Sequence, residues 1–118
     1  MNENLREKVI ALSEAITKTE EYVDFLEKEE VLKADEETQK LLLDFQQKQQ
    51  DFIAKQMSGE VDQDLLNQLS GLQNELRSRE SLTNFLDSYS RLLDLLGEVT
   101  DLMSEKLNVD MADVFRQR

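Results

Sequence analysis

An all-α fold is what this sequence predicts, and three observations lead to it. The 118 residues contain no proline and only three glycines, a composition that favours uninterrupted helices over turn-rich β architecture. Apolar residues recur at intervals of three and four, and no segment alternates with a period of two. Polar capping residues separate the periodic segments. We therefore expect about five helices, with long third and fifth helices, in a helical bundle that oligomerises.

The first two helices are marked by an apolar stripe and a capping threonine. The stripe of the first helix consists of Leu5, Val9, Leu12 and Ile16. Thr19, Glu20 and Glu21 mark the start of the second helix, because a threonine oxygen accepts from exposed N–H groups and the helix dipole favours acids there. The apolar residues of the second helix are Tyr22, Phe25, Leu26 and Leu32.

The third and fourth helices begin at aspartates. Asp35 repeats the start signal, and the third helix ends near Ser58 and Gly59, where glycine suits a left-handed residue. Asp62 and Asp64 open the fourth helix. The stripe of the third helix is Leu42, Phe45, Gln49, Phe52, Ile53 and Gln56. The stripe of the fourth is Leu65, Leu69, Leu72 and Leu76.

Two glutamines interrupt the apolar stripe of the third helix. Gln49 and Gln56 stand where leucine would be expected. A polar residue in such a seam often sets the register of a contact, which makes Phe52 and Gln56 candidates for an interface. The alternative is that each glutamine lies at the edge of the stripe with its amide in water.

The fifth helix is unusually long and apolar. Its pattern restarts around Ser78 to Ser81 and continues for about 27 residues, a length of roughly 40 Å. The main apolar stripe of this helix contains Leu82, Tyr89 and Leu96. Leu95 and Leu102 lie outside it, so the apolar arc of the second half of the helix spans about 180°. A seam of small residues, Ser90, Gly97 and Ser104, runs along its flank. We interpret Leu95, Val99 and Leu102 as interface residues of a homodimer, and the alternative is a central helix buried within a monomer.

The remaining residues predict one short helix. Asp110 can cap it, with Val109 and Val114 as a hydrophobic staple. The whole chain, 1–118, is thus expected to be a single helical domain in which 108–118 form a C-terminal tail helix.

Composition excludes several function classes. Without cysteine or histidine, the chain has no thiolate metal site, no Ser-His-Asp triad and no imidazole base. The 14 basic and 26 acidic residues give a net charge of −12, which disfavours direct binding to nucleic acid. The longest purely apolar run is Val9 to Leu12, so no membrane span or secretion signal is expected, and the protein should be cytoplasmic. We expect no catalytic residue, no metal ligand and no cofactor.

Acidic pairs leave one enzymatic alternative. All-α magnesium-dependent nucleotide pyrophosphatases use paired carboxylates on neighbouring helices, and this chain has Glu27-x-x-Glu30 and Glu98-x-x-Asp101. These pairs are too far apart in sequence for adjacent helices of one site. Residues 20–37 also carry nine acids, which form either a surface for a basic partner or a solvated face with helix-start acids.

The order of these features resembles the YlbF/YmcA family of small all-helical bacterial proteins. The resemblance extends from about Val9 to Leu107 and is most specific at Lys55-Gln56-Met57-Ser58-Gly59-Glu60, which looks like the family's turn after the third helix. Other matching elements are Leu12-x-x-x-Ile16, Glu21-Tyr22-x-x-Phe25, Leu42-x-x-Phe45 and Leu92-Leu93-x-x-Leu96-x-x-Val99.

The resemblance implies a five-helix fold that oligomerises and acts without catalysis. Its best-known members form a complex that adjusts RNA processing by the endonuclease RNase Y, and they affect competence, biofilm formation and sporulation. The partners implied are a second copy, other family members or that RNA-processing complex. Some members supply cysteines to an iron–sulfur cluster, a role that does not carry over to a chain without cysteine.

Overall fold

Five α-helices make up the part of the chain that the structure describes. The computed structural model describes residues 1–109, of which 87% are helical, and no strand occurs within that range. In chain order the helices are α1 (Glu3–Thr17), α2 (Glu20–Ala34), α3 (Glu36–Met57), α4 (Gln63–Arg77) and α5 (Glu80–Leu107). The prediction of an all-α fold with long third and fifth helices is confirmed. Residues 110–118 of the expected tail helix, with Asp110 and Val114, lie outside the described residues.

The helix boundaries follow the capping residues. Thr19 accepts a hydrogen bond from the backbone N–H of Tyr22 at the start of α2, as its sequence position predicts. Asp62 accepts from the N–H of Leu65 at the start of α4. Asn2 caps α1 in the same way, which the sequence pattern did not single out. The local sequence thus decides where each of these helices begins.

Gly59 ends α3 in the left-handed conformation that the sequence predicts. Its φ is 87°, and its N–H donates to the carbonyl of Gln56, while the N–H of Glu60 donates to that of Lys55. This pair of bonds satisfies the last carbonyls of the helix. Lys55 also pairs with Asp62 at 2.6 Å across the turn, an interaction that raises the pKa of Lys55 and lowers that of Asp62. The turn therefore reverses the chain and sends α4 back along α3.

The chain divides into two compact units. One contains residues 1–25 together with the chain from Asp87 onward, and the other is Leu26–Leu86. In the second unit, α3 packs against α4. Its buried leucines are Leu32, Leu65, Leu69 and Leu76. These leucines give the unit an apolar centre of its own, and each stabilises the fold by about 1.5–3 kcal/mol.

Asp35 ties together two corners of this second unit. Its carboxylate accepts from the Ser81 hydroxyl at 2.6 Å, from the Thr38 hydroxyl at 2.6 Å and from the Thr38 N–H at 3.2 Å. Thr38 is fully buried, and the hydrogen bonds from Ser81 and Thr38 lower the pKa of Asp35 to about 2. Beside it, Arg79 pairs with Glu37 at 3.0 Å. The α2–α3 corner is thereby joined to the start of α5.

The first unit combines one packed site with much exposed apolar surface. Phe25 contacts Tyr89 with ring centroids 5.8 Å apart, and nearby Leu92 and Ser88 of α5 are buried. In contrast, no residue of α1, Glu3–Thr17, is buried. The apolar stripe predicted on α1 is present, but its members Leu5, Val9 and Leu12 remain between 39% and 52% exposed. Ile16, the last residue of the same stripe, is half-buried.

We expect Asp35→Ala to lower the melting temperature more than Asp62→Ala. Both substitutions remove a helix cap. Asp35→Ala also removes the hydrogen bonds to Ser81 and to the hydroxyl of the buried Thr38, whereas Asp62→Ala also removes an ion pair with the exposed Lys55, and such pairs contribute little to stability. The Asp35 carboxyl has a lower pKa in the folded chain, about 2, than its ordinary value of 3.8. Its contribution is therefore present above pH 4 and is lost as the pH falls towards 2. Thermal melts between pH 2 and 7 measure both effects, and equal melting temperatures for the two variants would contradict the role of Ser81.

Candidate interaction surfaces

A neutral groove runs between α3 and α4. It has a volume of about 560 Å³ and combines apolar side chains with uncharged amides. Phe52, half-buried, supplies the aromatic wall on α3, and Leu69 of α4 faces the same space. The other lining residues are Phe45, Gln49, Ile53, Gln56, Leu66, Asn67, Ser70 and Gln73. The structure therefore brings together the two residues of α3 that the sequence predicts for an interface.

Gln56 is exposed within this groove. In the chain alone its amide faces solvent, so it carries no unsatisfied hydrogen-bonding group. Ile53, one turn earlier, is 49% exposed, which leaves an apolar side chain next to the amide. An incoming helix would cover both, and only then would Gln56 need a hydrogen-bond partner. The contact interpretation and the solvated interpretation of Gln56 both stay predictions.

The three residues predicted on α5 do not share one environment. Leu95 and Val99 are half-buried, on the same side of α5 as the buried Leu92 and Ser88. Leu102, one turn beyond, is 55% exposed. Leu95 and Val99 thus already contact their own chain in part, whereas Leu102 is largely accessible to a partner.

The sequence reasoning missed a second side of α5 that is more exposed. Leu93, Leu96 and Met103 recur with the helical spacing that predicts a core face, yet all three are exposed. Their spacing is typical of a core face, and nothing local distinguishes a face that meets its own chain from one that meets solvent. Only the position of the neighbouring helices separates the two.

The acidic segment contributes to a cleft in the first unit. The cleft has a volume of about 650 Å³ and is lined by Glu20, Glu21 and Asp24 of α2 and by Asp94, Leu95 and Glu98 of α5. Arg91 lies between the two rows and pairs with Asp87 and, at 3.9 Å, with Asp24. Arg91 donates a hydrogen bond to the Asp87 carboxylate, and this bond together with the negative charges of Asp87 and Asp24 raises the pKa of Arg91. The cleft is thus strongly negative, with one cation inside it.

The acidic pairs considered for magnesium are all exposed: Glu27, Glu30, Glu98 and Asp101. Within residues 1–109, no three acidic side chains converge in a way that would hold a metal ion. Over the same range, no helix has the combination of length and apolar content that a membrane crossing needs.

A family model described as control of competence regulator ComK, YlbF/YmcA, matches residues 5–108. The match extends from the first turn of α1 to the end of α5. The chain belongs to the YlbF/YmcA family. Comparisons with curated proteins and with solved structures give no significant match. The family predicted from the turn after α3 and from the order of the apolar segments is confirmed, and the family's description is that of a regulator.

Gln56→Leu in this YlbF/YmcA protein tests the groove. We expect equal or higher thermal stability, because the amide is solvated, leucine and glutamine have similar helix propensities, and a leucine adds apolar surface beside Ile53. If the groove is a contact, the same variant changes oligomeric state or loses a partner. Gln47→Leu, an exposed position on α3 outside the groove, is the matched control.

Thermal melts together with size-exclusion chromatography of both variants distinguish the interpretations. A Gln56→Leu protein that associates like the wild type, with the Gln47→Leu control also unchanged, would show that Gln56 is a solvated edge residue. A loss of stability in Gln56→Leu alone would show that its amide makes a stabilising bond within the chain.

Proposed function

We propose that this YlbF/YmcA protein is a non-catalytic regulator that acts through helix-to-helix contacts with itself and with other proteins. The observation that carries the proposal is the apolar surface that the first unit leaves exposed. A 15-residue helix is marginally stable in water by itself, and helices in proteins gain most of their stability from packing. α1 has that length and an apolar stripe, yet Glu3–Thr17 includes no buried residue. A second surface that covers it would stabilise both partners.

We also propose which process the protein regulates. Family membership and the description of the family support a role in controlling competence. We propose in addition that the protein joins an RNA-processing complex containing RNase Y and, through it, affects biofilm formation. Contact with the nuclease would be made by protein surfaces, because a net charge of −12 opposes binding to the RNA itself. The site of action in this proposal is the cytoplasm.

We propose five residues as interface positions. Phe52 and Gln56 lie in the groove between α3 and α4, and Leu102 is exposed on α5. Leu95 and Val99 are half-buried and would contribute through their remaining accessible surface. Affinity capture with the wild type and with Phe52→Asp tests the groove, since recovery of RNase Y with the wild type alone is the expected result. Equal recovery by both would remove the groove from the proposal.

Self-association should strengthen with added salt. Each chain carries −12, so two copies repel, and salt screens that repulsion while apolar contacts persist. We expect light scattering to give twice 13.8 kDa at high protein concentration, with a lower dissociation constant at 0.5 M than at 0.05 M sodium chloride. Leu102→Glu should weaken the dimer and leave helicity unchanged. A mass of 13.8 kDa at every concentration would disprove self-association and leave the contacts with other proteins to be tested.

The absence of catalysis is tested by removing both acidic pairs. The variant with Glu27, Glu30, Glu98 and Asp101 all changed to glutamine should keep its circular dichroism spectrum and its association, because these side chains are exposed. Its net charge falls from −12 to −8, so association should if anything tighten. A second variant with four other exposed acids changed, Glu7, Glu14, Glu60 and Glu105, controls for the charge. Magnesium-dependent hydrolysis of a nucleoside triphosphate that only the first variant lost would contradict the proposal.

A further inference from the structure

The last two turns of α5 carry an apolar patch that residues 1–109 leave open to solvent. A hollow of about 300 Å³ in this region is lined by Leu102, Met103, Lys106 and Leu107. The three apolar members are between 41% and 61% exposed. We name these four residues the α5 end patch.

The end patch continues a side of α5 that is covered further back along the helix. Leu92, Val99 and Lys106 are seven residues apart, which places them within about 40° of one another on the helical wheel. Leu92 is buried and Val99 is half-buried. Leu102 and Lys106 are exposed. The cover therefore ends between Val99 and Leu102, although the apolar side chains continue for about two more turns.

The chain turns back on itself where this patch ends. Asn108 has a φ of 57°, in the left-handed region. Its N–H donates to the carbonyl of Glu105, and the N–H of Val109 donates to that of Ser104. α3 ends at Gly59 with the same pair of bonds, and there the following helix, α4, packs back along α3. The end of α5 thus has the geometry that precedes an antiparallel helix elsewhere in this chain.

The nine residues that follow have the sequence of a short amphipathic helix. We name residues 110–118 the tail segment. Asp110 is a capping residue, and the charged Asp113 and Arg116 fall on the polar side of the helix. The apolar side has the spacing i, i+3, i+4 and consists of Met111, Val114 and Phe115. A helix of nine residues is marginal by itself in water, so this apolar side needs a surface to pack on.

We propose that the tail segment packs antiparallel on the α5 end patch of its own chain and covers Leu102, so that a partner binding there must displace it. One residue, Val109, separates the left-handed Asn108 from the Asp110 cap, and the tail segment therefore begins beside the patch. Nine helical residues extend about 13 Å, which reaches back along α5 to about the level of Val99. This is the point at which the cover of α5 by the other described residues ends.

The patch suits an attached short segment better than a separate protein. Its four side chains are far fewer than the 20–30 residues that each partner of a stable complex contributes, with ~800 Å² buried per partner. A segment on the same chain has an effective concentration in the millimolar range and needs a smaller contact. The tail segment also has two acids and two arginines, whereas a second copy would bring a net charge of −12. In the antiparallel arrangement Arg116 and Arg118 come level with the acids Glu98 and Asp101 of α5.

The consequence for function is competition at Leu102. This part of the inference rests on the proposed function, in which Leu102 contacts a partner. A partner that needs Leu102 binds only the fraction of molecules in which the tail segment is displaced, so its apparent affinity is reduced by that fraction. The tail segment is then an internal regulator of the contact.

Thiol labelling tests the cover without any partner, because the natural chain has no cysteine. Leu102→Cys in dilute protein should react with iodoacetamide about tenfold more slowly than Leu43→Cys, the protection expected if the segment is open about one-tenth of the time. The comparison is matched, because Leu43 and Leu102 are both helical leucines and are 57% and 55% exposed in the described chain. Adding Phe115→Glu should remove the protection. Adding Gln117→Glu, which brings the same charge to a position about 110° from the centre of the apolar side, should leave it unchanged.

Disulfide formation tests the antiparallel arrangement. Leu102 is six residues before Asn108 and Val114 is six residues after it. Leu102→Cys with Val114→Cys should therefore form a disulfide within one chain on mild oxidation. Asp101→Cys with Val114→Cys is the control, and it should not cross-link, because Asp101 lies on the side of α5 opposite the patch.

The effect on partners is measured by self-association of the full chain. Phe115→Glu should lower the dissociation constant in analytical ultracentrifugation by about the factor by which it speeds labelling, and Gln117→Glu should not. A wild type that stays monomeric would contradict the proposed self-association, whereas slow labelling of Leu102→Cys in that same monomer would still support the cover by the tail segment.

Three results would overturn the inference. Equal labelling rates for Leu102→Cys and Leu43→Cys, unaffected by Phe115→Glu, would show that the tail segment does not cover the patch. A disulfide between Leu102→Cys and Val114→Cys that forms only between two chains would place the tail segment on a second copy. Faster labelling in Phe115→Glu with an unchanged dissociation constant would show that the tail segment and the partner do not compete.

Discussion

The hydrogen bonds that the Asp35 carboxylate accepts are the interactions on which the second unit depends. It caps α3, receives the hydroxyl of the fully buried Thr38 and holds Ser81 from a part of the chain 46 residues away. A carboxylate with three donors remains ionised to low pH, which explains the depressed pKa. Because α3 and α4 are closed at their other end by Lys55 and Asp62, both ends of the hairpin are held by ionic hydrogen bonds while leucines fill its centre.

The two units use their apolar residues differently. In Leu26–Leu86 the leucines of α4 lie against α3, and three of them are buried. In the other unit only Leu92 is a buried apolar residue among the described positions, while the stripes of α1 and of α5 remain accessible. A chain of 13.8 kDa gains little by exposing so many leucines, since each costs about 1.5–3 kcal/mol relative to burial. A partner that covers the exposed apolar residues of the first unit would account for this difference.

The distribution of charge is consistent with a regulator that reads protein surfaces. Acids are concentrated near the start of α2 and on the side of α5 that carries Asp94 and Glu98, where they form a negative cleft that also contains Arg91. The groove between α3 and α4 has no charged lining residue. In our proposal these apolar and amide surfaces are the ones that dock other proteins, while the acids disfavour contact with polyanions and with other acidic surfaces.

The sequence by itself determined the helices, their limits and the family. Thr19, Asp35, Gly59 and Asp62 act through hydrogen bonds and backbone angles within a few residues, so each boundary could be read locally. The burial of each side chain could not be predicted in this way, because an amphipathic stripe shows only that a face is apolar and not what covers it. The sequence therefore identified Leu95 as an extra apolar residue but could not show that it faces its own chain, nor that Leu93 on the opposite flank faces solvent. Those assignments depend on where other helices pack, and only the tertiary structure decided them.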